Sequence, residues 1–194
     1  MKVQSLIIVL VLFIISSSEI NAEGVSSKGV KFGFNSSKFT GKDIPGKGIA
    51  PIPGLTLGYF INYEVSNRFS LQPELLFTTK GSRINTVGDI YLHNIFTYIE
   101  IPVLAKWTFI TEKKWNPYLH GGPSLDFKLL AFNEEGFPED FRKIDLGLIL
   151  GAGIRFNKIS LGMNYNHGFL NFDRSEKNID LKNQTISVVV GFSF

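Results

Sequence analysis

The sequence predicts an all-β chain: an eight-stranded antiparallel up-and-down transmembrane β-barrel, behind a cleaved N-terminal signal peptide. Three observations predict it. Apolar residues recur with period two through most of the chain, and no window carries a long apolar stripe of period 3.6. Short and long connections alternate strictly between the resulting segments. Charges within those segments keep to one of the two faces.

The first residues, MKVQSLIIVLVLFIISSSEINA, hold one lysine, an uncharged apolar run from Leu6 to Ile15, and then small and polar residues. That is the layout of a signal peptide, with cleavage expected after Ala22. The run is shorter than the roughly 20 residues of a spanning helix. The expected organisation is therefore residues 1–22 as signal peptide and 23–194 as one barrel domain. The chain has no cysteine, which excludes disulfides and a lipid-modified cysteine at the cleavage site. The cut removes Lys2 and Glu19, so the net charge stays at +3, too mild to argue for a nucleic-acid partner.

The strands follow in order. Val30, Phe32 and Phe34 mark the first, and Leu55, Leu57, Tyr59, Ile61, Tyr63 and Val65 the second, alternating with Thr56, Gly58, Phe60, Asn62 and Glu64. In the third, Phe69, Leu71, Leu75 and Phe77 oppose Ser70, Gln72, Glu74 and Thr78. In the fourth, Ile99, Ile101, Val103, Ala105, Trp107 and Phe109 oppose Glu100, Leu104, Lys106 and Thr108. The fifth sets Leu119, Leu125, Phe127 and Leu129 against His120, Ser124, Asp126 and Lys128. The sixth sets Ile144, Leu146, Leu148, Leu150, Ile154 and Phe156 against Lys143, Asp145, three glycines and Arg155. Ile159, Leu161, Met163 and Tyr165 mark the seventh, and Ile186, Val188, Val190, Phe192 and Phe194 the last. Pro73, Pro102 and Pro123 cannot donate ladder hydrogen bonds, so bulges or strand ends are expected near them.

Only Ser66-Asn67-Arg68, Asn157-Lys158 and the modest ITEKKWN join three of the pairs. The connections near 40–53, 81–96, 131–142 and 172–181 are long and rich in Gly, Asn and charge. Short periplasmic turns and long external loops on an even strand number are the asymmetry of bacterial outer-membrane barrels. That places both termini at the periplasmic rim.

Alternation alone leaves open which face meets lipid, since a soluble ligand-binding barrel also alternates. Volume decides first. Eight strands enclose a space that side chains just fill, too narrow for the Phe, Tyr, Trp, Leu and Ile set but suited to glycines and long polar groups. A charge at the bilayer midplane costs about 2–4 kcal/mol for Arg or Lys, consistent with a charge-free apolar face. Third, Tyr63, Phe69, Trp107, Phe109, Trp115, Tyr118, Phe156, Phe192 and Phe194 gather near the short-turn rim, as an interfacial aromatic girdle does. The expected location is the bacterial outer membrane, with its lipid as the surrounding partner.

The stretches VKFGFNSS, FSLQPELLFTTKG, YIEIPVLAKW, PYLHGGPSL, DLGLILGAGIRF, ISLGMNYNHGF and VVVGFSF together resemble, in family order over most of residues 29–194, the PorT-like outer-membrane β-barrel proteins. The resemblance implies that the barrel-assembly machinery reads the last strand through Phe194, Phe192, Val190 and Val188. It also implies a possible place in a secretion or gliding apparatus, an activity that the family name does not by itself confer.

The expected lumen network is Lys31, Lys80, Lys106, Lys128, Lys143 and Arg155 against Glu64, Glu74, Glu100, Asp126 and Asp145. Near-balance points to a salt-bridged plug, with an ion or proton pathway as the alternative. No catalytic residue, cofactor or metal is expected. His167 with Asp173, or His93 with Asp89, offers a hydrolase pair at the outer rim, but neither has a nucleophile motif beside it. Phe132, Phe137 and Phe141 offer a loop patch for a surface ligand or envelope protein, or else a small loop core. The expected role is structural or recognition-related, without enzyme activity.

Overall fold

Eight strands follow one another in the computed structural model: β1 (Val25–Lys42), β2 (Gly48–Glu64), β3 (Phe69–Asn85), β4 (Tyr91–Thr108), β5 (Trp115–Asn133), β6 (Ile144–Phe156), β7 (Ile159–Gly168) and β8 (Asp180–Ser193). The residues described are 25–42, 48–85, 91–109, 114–133, 143–171 and 180–194. The expected signal segment lies outside them. Each strand pairs antiparallel with the next, and β8 returns to β1, so the sheet closes as a barrel in sequence order. The closing ladder runs from Gly29↔Ser193 to Lys42↔Asp180. Closure removes both sheet edges and pairs the wall's backbone groups within the protein, the condition for crossing hydrocarbon with strands.

Local chemistry accounts for the turns. Asn157 has φ of 50° in the two-residue link between β6 and β7, a left-handed conformation that Asn tolerates well. Between β2 and β3, the Ser66 hydroxyl accepts the Phe69 amide at 3.2 Å, and the Val65 amide bonds the Phe69 carbonyl at 3.0 Å.

Two expectations need correction. First, β1 to β5 are 17–19 residues long, well beyond the segments marked by outward apolar alternation. Much of what reads as long loop near 40–53 and 81–96 is therefore ladder. Second, register shifts fall between Val25 and Ser27, Pro51 and Thr56, and Thr97 and Tyr98, away from Pro73, Pro102 and Pro123. Those three prolines stay in register, at Pro73↔Val103, Pro102↔Ser124 and Pro123↔Leu148. The ladder instead has a gap opposite Ile101–Pro102 in the β3–β4 pair, and another opposite Gly122–Pro123 in the β4–β5 pair. Each missing proline N–H costs ladder bonds without displacing the strand.

The outward face forms a belt. Phe34, Leu55, Leu57, Val103, Leu148, Met163 and Val188 are exposed, Phe34 at 64%. Register carries this belt around the barrel through Phe34↔Leu55, Leu57↔Phe77, Phe77↔Ile99 and Val188↔Phe34. On β8 the belt runs from Ile186 to Phe194, the reach of a tilted spanning strand. Towards the short-turn rim the belt ends in aromatics. Phe69 pairs with Trp107, the Trp115 and Phe156 rings sit 4.7 Å apart, and Phe192 pairs with Ile159. Phe109 and Phe194 are exposed there, Tyr63 is half-buried, and Phe194 covers Tyr59 at 6.4 Å between rings. Tyr118 departs from this set: it is an inward residue, buried in the lumen.

Candidate functional site: a layered, filled lumen

The alternating positions opposite the belt turn inward and stack in layers. Nearest the short-turn rim, Lys106 lies with its ammonium 4.0 Å above the Tyr118 ring and donates to the Gln72 amide oxygen at 3.4 Å. His120 stacks on Tyr118, and its Nε2 sits 2.8 Å from Asn164 Oδ1. A side chain at Gly153 would collide with the Tyr118 hydroxyl, so this small residue is what admits the tyrosine.

One layer further in, the Lys31 ammonium pairs with the Glu74 carboxylate, which also accepts Gln72 Nε2 at 2.6 Å. Around and above this pair, Leu76, Leu104, Ile149 and Val189 are all buried and fill the centre. Their spacing within strict period two could have identified Leu76 and Ile149 as inward, although hydropathy alone argues the reverse.

In the outer half, Lys80 bridges two carboxylates, 2.7 Å from Glu100 Oε2 and 2.7 Å from Asp126 Oδ2. Asn166 donates to the remaining Glu100 oxygen at 3.1 Å, and Ser124 donates to Asp126. Asp145 accepts the Leu170 amide at 3.3 Å and Asn183 Nδ2 at 3.4 Å. Buried ions are tolerated where partners and extra hydrogen bonds replace lost hydration, and Lys80, 2% exposed, has both. Beyond this layer Phe39, Phe96, Tyr98 and Leu181 form an apolar cluster inside the wall.

The expected network members are thus distributed unevenly. Lys31, Glu74, Lys80, Glu100, Lys106, Asp126 and Asp145 are buried, and Arg155 is half-buried at the inner vestibule. Glu64 and Lys143 are exposed, because each stands at or just past a strand end where the wall no longer encloses it. Lys128 is half-buried, 5.4 Å from the centre of the Phe96 ring.

For the hydrolase pairs, Asp173 and Asp89 lie outside the described residues, as do Phe137 and Phe141 of the loop patch. His167 stacks on Tyr165 and meets Phe169 edge-on, and among the described residues its buried Nδ1 has no hydrogen-bond partner. Among the described residues no group of three or more His, Cys, Asp or Glu could hold a metal ion, and no helix is long and apolar enough to cross a membrane.

A closed eight-strand wall with an apolar exterior, a polar packed interior and an aromatic rim defines an outer-membrane barrel. The sequence matches the family described as outer membrane protein beta-barrel domain over residues 22–174, and the chain belongs to that family. Its location is accordingly the bacterial outer membrane. Among solved structures it is similar to Neisserial surface protein A, at 17% identity and a TM-score of 0.54, with 89% of this chain matched to 100% of that one. It is similar also to outer membrane protein OprG from Pseudomonas aeruginosa, at 12% identity and a TM-score of 0.54, with 91% and 99% of the two chains covered. Those likenesses are of fold. No curated protein matches the sequence.

Proposed function

We propose that the protein is a non-conducting barrel whose role is structural or recognition-related, with the external connections as its contact surface and no catalytic step. One observation carries this reading. The two lumen cavities with described linings hold about 20 Å³ each, room for roughly one water apiece. Lys31 and Val189 line both and form the partition between them. A surface role suits the strands that rise past the belt, since residues free of the lipid constraint are the ones available for specific contacts. Purified protein in planar bilayers is expected to give no steady conductance above the lipid baseline; a reproducible ohmic step would overturn the reading.

The ordered segments from VKFGFNSS to VVVGFSF favour a second reading, membership of a PorT-like secretion or gliding assembly. Crosslinking from the external connections and from the periplasmic turns separates the two. Capture of a periplasmic complex through the turns supports the assembly reading, and capture through the external connections supports recognition. In both readings Phe194, Phe192, Val190 and Val188 serve as the signal to the barrel-assembly machinery.

A further inference from the structure

The lumen charges do not cancel layer by layer. Three carboxylates (Glu100, Asp126 and Asp145) share the outer half with Lys80 and the half-buried Lys128, whereas Lys106 and Arg155 occupy the periplasmic half. Between them sit the self-neutralising Lys31–Glu74 pair and buried Leu104 and Val189. The surplus acid therefore lies across an apolar layer from the surplus base.

We propose that the periplasmic vestibule binds a compact monovalent anion of halide size between Lys106 and Arg155. The vestibule is a cavity of about 20 Å³ whose wall includes Lys31, Lys106, His120 and Arg155 together with the hydroxyls of Ser27 and Ser160. No carboxylate lines it. Lys106 is 8% exposed, yet its oxygen partner among the described residues is a neutral amide at the long distance of 3.4 Å. Among the described residues Arg155 makes no ion pair. Arg155 and Lys31 both lie within electrostatic reach of Lys106, and Glu74, the carboxylate that also reaches it, is already paired with Lys31. Taking like charges out of water without a counter-charge is costly. An anion between them converts the repulsion into two attractions, with serine hydroxyls as additional donors. The volume admits one water-sized group, so a halide fits and a tetrahedral oxyanion does not enter whole. This vestibule opens towards the short-turn rim and is independent of the external connections.

The test uses the folded protein in detergent micelles and chloride itself as the probe. Chloride-35 resonance is expected to broaden on titration with wild-type protein, and bromide to reverse the broadening by competition. Lys106→Gln/Arg155→Gln is expected to reduce the excess broadening at least tenfold, while Lys143→Gln, which removes an exposed cation far from the vestibule, leaves it intact. Equal broadening by the wild type and the double variant overturns the proposal, as does loss in Lys143→Gln. Should the double variant fail to fold, wild-type melting decides. A higher midpoint in sodium chloride than in sodium gluconate of equal ionic strength supports the site, and equal midpoints overturn it.

Discussion

The membrane belt and the external crown above it are built on the same eight strands with opposite patterning. In the belt, Phe34, Leu57, Val103 and Val188 face out while Lys31, Glu74 and Lys80 face in. In the crown, Phe39, Ile52, Phe96 and Leu181 are buried inside, and Ser36, Lys38, Pro51 and Pro53 are exposed. Ile95 and Leu130, 38% and 42% exposed, are apolar exceptions near the boundary. The change needs no break in the backbone, since β1 runs through both regions in unbroken register with β8, although the β2–β3 and β4–β5 ladders shift register near it. What changes is the solvent. Hydrocarbon outside rewards apolar residues there and exiles charge to the centre. Water outside restores the usual burial of apolar surface. One strand thus reads as a membrane segment and a soluble segment in succession.

Substitutions that swap one rule for the other test this contrast, and urea unfolding of liposome-folded protein followed by Trp107 and Trp115 fluorescence measures them. Phe96→Ala, which empties the crown's core, is expected to cost roughly 3–5 kcal/mol. Lys80→Met leaves Glu100 and Asp126 buried without their cation and should cost about 3–5 kcal/mol; the triple variant with Glu100→Gln and Asp126→Asn should recover most of the loss. Val188→Arg, on the belt's outer face, should cost about 2–4 kcal/mol. Gly153→Val forces Tyr118 from its slot at roughly 1–3 kcal/mol. Lys38→Gln, outside the crown, should stay within about 0.5 kcal/mol. A loss for Lys38→Gln as large as that for Val188→Arg would erase the distinction between the two outer faces.

Most of the wall was legible because lipid imposes one rule on every spanning strand. Outward residues from Val30 to Phe34 and from Ile186 to Phe194 obey it without exception. Strand length was not legible, because Gly48–Pro53 and Gly81–Asn85 carry Gly, Pro and polar residues that resemble loop once the outer face no longer needs to be greasy. Glu64 and Lys143 kept inward parity but lay at strand ends, and period two carries no information on where enclosure stops. Tyr118 misled for a different reason. Its height matched the aromatic rim, but its parity with Asn116, also buried, placed it inside.

The ladder from Gly29↔Ser193 to Lys42↔Asp180 joins residues more than a hundred positions apart, whereas the other seven pairings are between neighbours in the chain. Bringing distant segments together is the entropically slow part of folding. The hairpins can zip in turn as they form, but this seam has to wait for a complete chain. An interrupted molecule would present β1 with one flank bare, and its exposed backbone groups would be open to pairing with another copy.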